Sequence, residues 1–434
     1  MNVIEKFKYI KIIILLITLL LVNRTYSQDW AKSLINNRQR VDMRSLGYPE
    51  INEIPANSSA ITSLITAKSG IIYGGTSGEE AYLFLFDPST NKVRHLGSFN
   101  GHTGIHHSLV EDKNGNIYIG TGKNILEDIP LSKWGEKDEK IDITLWKDIK
   151  KAYANYKGGH LYCYNPSKSN DHVKLNGMEC EAEDLGMPLA NNSIYALTIN
   201  PAGNEIYGLT YPDGHFFIFN IHTKKITDLG EVDSKKVYHG PERTWRTLPR
   251  ALICDDSGKV YMSGNKGMLK YYDQVLGKLI DTKIELPGDY NYLQFYEDYT
   301  SVEYFTKTSD NIIYGGTTDG YLFSFNPNKM QLYNLGKVRA SRRIRCLTAG
   351  KDGKIYLIAG ERSASWPCQL YVYDPKHSNF ETLGLVIADR SPYYYRRGQQ
   401  FDSMTTGLDG TIYLGESERM SHLFLYIPEI EMRK

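Results

Sequence analysis

Hydrophobic and polar residues alternate along most of this chain in runs of four to six, separated by Gly, Asn, Asp and Pro. Alternation turns one face of an extended segment toward a core and the other toward water, and the intervening residues suit tight turns. The pattern predicts antiparallel strands joined by hairpins. Seven segments carry Ile-Tyr or Val-Tyr after a polar turn, at Tyr73, Tyr118, Tyr207, Tyr261, Tyr314, Tyr356 and Tyr413. A second alternating run follows each: YLFLFDP, LYCYNP, FFIFN, LKYYD, YLFSFNP, LYVYDP and LFLYIP. Most then show a short fourth element, such as VRHLG, ITDLG, LYNLG or FETLG.

Four strands recurring every roughly 42 to 57 residues make a propeller blade. We letter the strands A to D from the centre outward. The last repeat stops after its third strand, and VDMRSLG at Val41 to Gly47 matches the missing D pattern. The expected fold is therefore all-β, a seven-bladed propeller over residues 28–434, closed by an N-terminal strand that completes the last blade. Closure leaves no long exposed sheet edge. One repeat is oversized, with an insertion at about 123–157 between strands B and C of blade 2. Asp142 to Tyr156 within it could form a helix, and the segment reads equally as a cleft wall or a tolerated surface insertion.

The first residues change the picture of where the protein works. Lys6, Lys8 and Lys11 precede an apolar run from Ile12 to Val22, and Thr25 and Ser27 suit the −3 and −1 cleavage positions. This reads as a signal peptide over residues 1–27, too short in its apolar part to span a bilayer. The expected location is secreted or periplasmic, without membrane insertion after cleavage, and as a monomer. The formal net charge of +1 argues against a nucleic-acid partner. Five cysteines are too sparse for a disulfide scaffold; Cys163 and Cys180 could pair, or stand as buried thiols.

Charge is unevenly placed. In a propeller the D-to-A and B-to-C connections share one face, and here they are long and carry most of the arginine. Of 18 Arg, 12 fall in these loops or at the strand heads they enter. The opposite turns are short and plain: KSG, KNG, PAG, DSG, KDG, LDG. Arg recognises carboxylate or sulfate through a planar fork and aromatic rings stack on sugars, so the loaded face suits an anionic polysaccharide. Aligning the A strands on Ile-Tyr places Thr62, His107, Tyr195, Arg250, Glu303, Arg345 and Asp402 at one position, eleven before each Tyr with one extra residue in blade 3. They are expected to ring the mouth of the central channel. His102, His106 and His107 depart from the repeat.

An anionic uronan can be cut by β-elimination, which needs a group against the carboxylate, a base for the C5 proton and an acid for the leaving oxygen. Hydrolysis normally uses two flanking carboxylates, and no clear Asp/Glu pair stands in the loaded loops. Neither route needs a cofactor. The sequence holds no CxxC or HExxH, and a structural Zn or Ca ion between loops stays open.

The blade pattern resembles that of the seven-bladed propeller polysaccharide lyases, notably the ulvan lyases of marine bacteria. Related propellers act on rhamnose–glucuronate linkages, one of them a hydrolase with a single His. In those lyases one His heads an inner strand and a second opens strand C of the same blade. A Tyr from a later blade and an Arg on the uronate carboxylate complete the set. The resemblance implies that His107 (or His106) and Tyr211 share proton transfer, that Arg250 and Arg246 neutralise the carboxylate, and that His160 assists. Arg345, Arg342, His239, Tyr195, Tyr292 and Trp366 would line subsites. The long loop before Arg250 and the insertion depart from the compact pattern. A hydrolase on rhamnose–glucuronate linkages and a non-catalytic glycan-binding propeller are the alternatives.

Overall fold

The computed structural model describes residues 40–45, 54–125, 147–168, 178–232, 248–288, 300–338, 343–360, 367–390, 394–418 and 420–428. Five four-stranded antiparallel sheets follow one another in sequence order, and two further blades share a nine-stranded sheet. The fold is a seven-bladed β-propeller. Blade 1 spans Ala60–Phe99, blade 2 Leu109–Asp184, blade 3 Ser193–Glu231, blade 4 Ile253–Glu285 and blade 5 Val302–Lys337. Blades 6 and 7 begin at Ile344 and Phe401.

The N-terminal strand Arg40–Ser45 pairs antiparallel with Leu423–Tyr426, supplying the outer strand that the last repeat lacks. It also pairs in parallel with the outer strand of blade 6, from Arg40 opposite Leu385 to Met43 opposite Ala388. The sequence pattern anticipated the first pairing and not the second, because a parallel partner leaves no hairpin to read. Of the insertion, a helix over residues 147–153 is described.

The repeat explains itself in packing. The Tyr of Ile-Tyr is buried in every blade. Its hydroxyl, where bonded, donates to a carboxylate at the short turn: Tyr356 to Asp352 at 2.7 Å, Tyr207 to Glu205 at 2.8 Å and Tyr261 to Asp255 at 3.3 Å. A buried ring thus fills the core while its polar end ties down the turn. The glycines after it serve two neighbours. A Cβ on Gly74 would lie 2.1 Å from the Phe84 ring of the same blade, and one on Gly75 would lie 2.4 Å from Ile105 of the next. Gly316 meets Ile344 and Gly415 meets Ile61 in the same way, at 2.4 and 2.5 Å. With Gly120 against Ile194, four glycines thereby receive an isoleucine from across a blade boundary. The outer-strand Leu-Gly marks a bulge, with Gly336 at φ 111, a conformation only glycine adopts at little cost.

The five cysteines are free thiols, Cys163 and Cys180 included. No helix among the described residues is long and apolar enough to cross a membrane.

Candidate functional site

The aligned strand heads share a physical cause. In five blades the A–B register shifts by one residue, and the bulged residue is Thr62, Tyr195, Glu303, Arg345 or Asp402. A bulge leaves one residue outside the ladder and re-aims its side chain. In blades 2 and 4 the ladder begins later, and His107 and Arg250 precede it.

Both carboxylates of this ring are paired with arginines. Glu303 accepts from Arg250 Nη1 at 2.7 Å and from Arg343 Nη2 at 2.8 Å. Arg345 donates through Nη2 to Asp402 at 2.5 Å and through Nε to the Phe401 carbonyl at 2.9 Å. Gln400 and Ser417 also donate to Asp402. All five charged side chains are buried. The guanidinium groups hold the Glu303 and Asp402 carboxyls below the usual carboxylate range, against burial, which acts the other way. Arg250 and Arg345 thus reach the expected place as halves of buried ion pairs rather than as open clamps.

His107 looks across the channel. Its ring lies 4.9 Å from that of Tyr304 in blade 5 and 5.7 Å from that of Tyr195 in blade 3. Tyr304 in turn donates to the Met404 carbonyl of blade 7 at 3.4 Å. His107 and Tyr304 border a cavity of about 140 Å³ walled also by Ser63, Leu109, Leu197 and Leu252, among others. Burial pushes the His107 imidazole down to about 4, so it is neutral at pH 7. His106 is stacked on Tyr195 at 5.6 Å, and its Nε2 accepts from the Ile125 N–H at 3.2 Å. Burial lowers it likewise to about 4.

His102 and His160 form a second cluster. His160 opens strand C of blade 2, and its Nδ1 donates to the Asp184 carboxylate at 2.9 Å while the side chain stays partly exposed. Its ring stacks at 6.1 Å on Tyr162 and lies 5.5 Å from His102. His102 is buried; its Nδ1 is 2.9 Å from the Tyr156 hydroxyl and its Nε2 3.4 Å from the Tyr162 hydroxyl. Burial, then the neighbouring His160, lowers His102 to about 4. Strand C starts and D-to-A loops belong to the loaded face, so this cluster sits there. Part of it is repeat grammar: in blade 3, His215 Nδ1 meets Asp228 at 2.8 Å in the equivalent place. His102 and Tyr156 have no counterpart there.

Tyr211 stands between the two groups, buried, 6.0 Å from Tyr195 and 5.5 Å from Tyr153. The expected set therefore divides. His107, Tyr195, Arg250 and Arg345 gather at the inner-strand heads with His106 stacked on Tyr195, while His160 lies apart with His102, Asp184, Tyr156 and Tyr162. Sequence reasoning missed these last partners. Asp184 could have been found from the Asp-Leu-Gly shared with ITDLG; the Tyr156 contact crosses an insertion that no repeat pattern registers. Arg246, Arg342, His239, Tyr292 and Trp366 lie outside the described residues. Among the described residues no group of three or more His, Cys, Asp or Glu could hold a metal ion, and the three histidines of the loop point to different places.

Comparison with known proteins gives the fold more firmly than the chemistry. The family model of the two-component regulator propeller matches residues 101–123. A comparison with curated proteins finds no match. Among solved structures, streptogramin B lyase is similar with a TM-score of 0.57 at 11% identity, over 88% of this chain and 96% of that one. A catalytically inactive variant of virginiamycin B lyase from Staphylococcus aureus, with quinupristin, gives 0.55 at 10% identity, over 89% and 99% of the two chains. The extracellular domain of a hybrid two-component system from B. thetaiotaomicron gives 0.52 at 16% identity, over 90% of this chain and 41% of that one. The chain thus has a propeller fold like that of enzymes and of extracellular sensor domains alike.

Proposed function

We propose that this chain is an exported lyase that cleaves a uronic-acid-containing polysaccharide of the ulvan type by β-elimination. The observation that carries the reading is the partly exposed His160–Asp184 pair on the loaded face, beside a second, neutral histidine and two tyrosines. A neutral imidazole held by a carboxylate at Nδ1 is oriented to accept a proton at Nε2, and the carboxylate stabilises the imidazolium that results. His160 takes the C5 proton, the arginines of the loaded loops neutralise the substrate carboxylate, and the channel ring with His107, Arg250 and Arg345 is the scaffold behind the cleft. Incubation of the purified protein with ulvan should raise the ultraviolet absorbance of the unsaturated uronate end, and His160→Ala should abolish the rise. Full activity in that variant overturns the assignment, and chain shortening without absorbance replaces elimination by hydrolysis.

A second reading is favoured by the His215–Asp228 pair, which shows that such a pair also arises from the repeat alone. On that reading the protein binds an anionic glycan without cutting it, as a sensor module would. Binding of ulvan with unchanged chain length selects it.

A further inference from the structure

Resting on the lyase reading, the geometry points to Tyr162 as the acid that protonates the leaving oxygen, with Tyr156 of the blade 2 insertion and His102 as the positioning residues that free its proton. A neutral imidazole carries one N–H and one lone pair. Both ring nitrogens of His102 face phenols, Tyr156 at 2.9 Å and Tyr162 at 3.4 Å. The shorter contact suits a phenol O–H donating to a nitrogen lone pair, so Tyr156 donates to Nδ1. The single N–H then sits on Nε2 and donates to the Tyr162 oxygen. With its oxygen already accepting, Tyr162 has its own proton free to donate outward, beside the stacked His160 ring. Without Tyr156 the tautomer reverses, Tyr162 donates to Nε2, and its proton is withdrawn from the cleft.

The insertion is built to hold this contact. Tyr153 and Ile149 of the 147–153 helix are buried in the core cluster shared by blades 3 and 4. The Asn191 side chain donates to the carbonyls of Tyr153, Ala154 and Tyr156 at 3.3, 2.9 and 2.9 Å, fixing the turn that carries Tyr156.

The step balances. His160 Nε2 takes the C5 proton, and the C–H pair becomes the C4–C5 double bond. The C4–O pair leaves with the oxygen, which takes the Tyr162 proton. The tyrosinate formed is held by the His102 Nε2–H, and the imidazolium by Asp184. Solvent then returns a proton from His160 to Tyr162.

The test uses two substrates of the full-length protein. One is ulvan; the other is a uronate with 4-nitrophenol as the group leaving from C4, which needs no protonation. Tyr162→Phe should lower kcat on ulvan by about a hundredfold or more, within the usual range for losing a general acid, and retain turnover of the activated substrate. Tyr156→Phe should show the same selectivity with a loss of about tenfold, a fraction of the same effect. Equal losses on both substrates would make either residue merely structural and overturn the inference. Nitrogen NMR of histidine-labelled protein reads the tautomer directly, with the His102 signal assigned through His102→Gln. The expected state carries the proton on Nε2 and reverses in Tyr156→Phe; a proton on Nδ1 in the unaltered protein sinks the idea whatever the activity. A protein inert toward both substrates removes the lyase reading and the acid role with it, while the tautomer result stands separately.

Discussion

His102, His106 and His107 lie within six residues and meet three fates. His102 turns out to the Tyr156 and Tyr162 hydroxyls, His106 is sealed against Tyr195, and His107 enters the channel. Their adjacency in sequence suggested one constellation. Gly104, which bridges to both Ser77 and Gly122, parts His102 from the other two, and His107 is drawn from His106 by its own bridge to Ala196; nothing in the local pattern announces such bridges. All three are pushed from 6.5 to about 4, mainly by burial. The unfolded chain takes up protons on them below pH 6.5 and the folded one only near pH 4, so their share of stability is complete above pH 6.5 and falls as the pH drops toward 4. Thermal unfolding should show this loss before the buried carboxylates, with unfolded values near 4, begin to contribute. His106→Gln should make it shallower by the share of that one histidine. Glu303 is the residue on which two guanidinium groups converge, so Glu303→Gln should cost about 3 to 5 kcal/mol in urea unfolding, because it leaves buried cations uncompensated.

At the scale of elements, what was legible followed periodicity. Strand alternation, the Ile-Tyr anchors and the offset of eleven residues all arise from contacts within one blade, which sequence spacing encodes. The offset marked the bulged residue of the A strand before any register was known. Contacts between elements far apart were not legible: the Asn191 cap on the 147–153 helix joins an insertion to the start of blade 3, and no period relates them. Asn191 sits at φ 57, where Asn is tolerated and most residues are strained. Asn191→Ala should therefore lower stability by at least about 1 kcal/mol, as loss of a side-chain hydrogen bond does, and open the insertion to limited proteolysis while blade 3 stays protected.

For the whole molecule, closure is the decisive event. Arg40–Ser45 fastens to blade 7 on one side and to the blade 6 outer strand on the other, so a short segment joins two blades into one nine-stranded sheet. Removing residues up to Ser45 should expose two strand edges at once, lower the unfolding midpoint and promote association measurable by light scattering. Retention of both the midpoint and the scattering of the unaltered protein would show that the ring closes without this strand. The sequence announced the missing strand because the last repeat was one short; it could not announce the second partner, since parallel pairing of distant segments has no local signature.

The bulge at the head of the inner strand has a wider meaning. Because the bulged residue stands outside the ladder, its identity is uncoupled from the pairing on either side of it. Thr, Tyr, Glu, Arg and Asp all occupy it here with the flanking register unchanged. The propeller therefore carries a wheel of sockets, each able to take a new polar group without renegotiating the sheet around it. Divergence can rewire the channel mouth one spoke at a time, provided each new charge finds its opposite on a neighbouring spoke, as Glu303 does with Arg250 and Arg343.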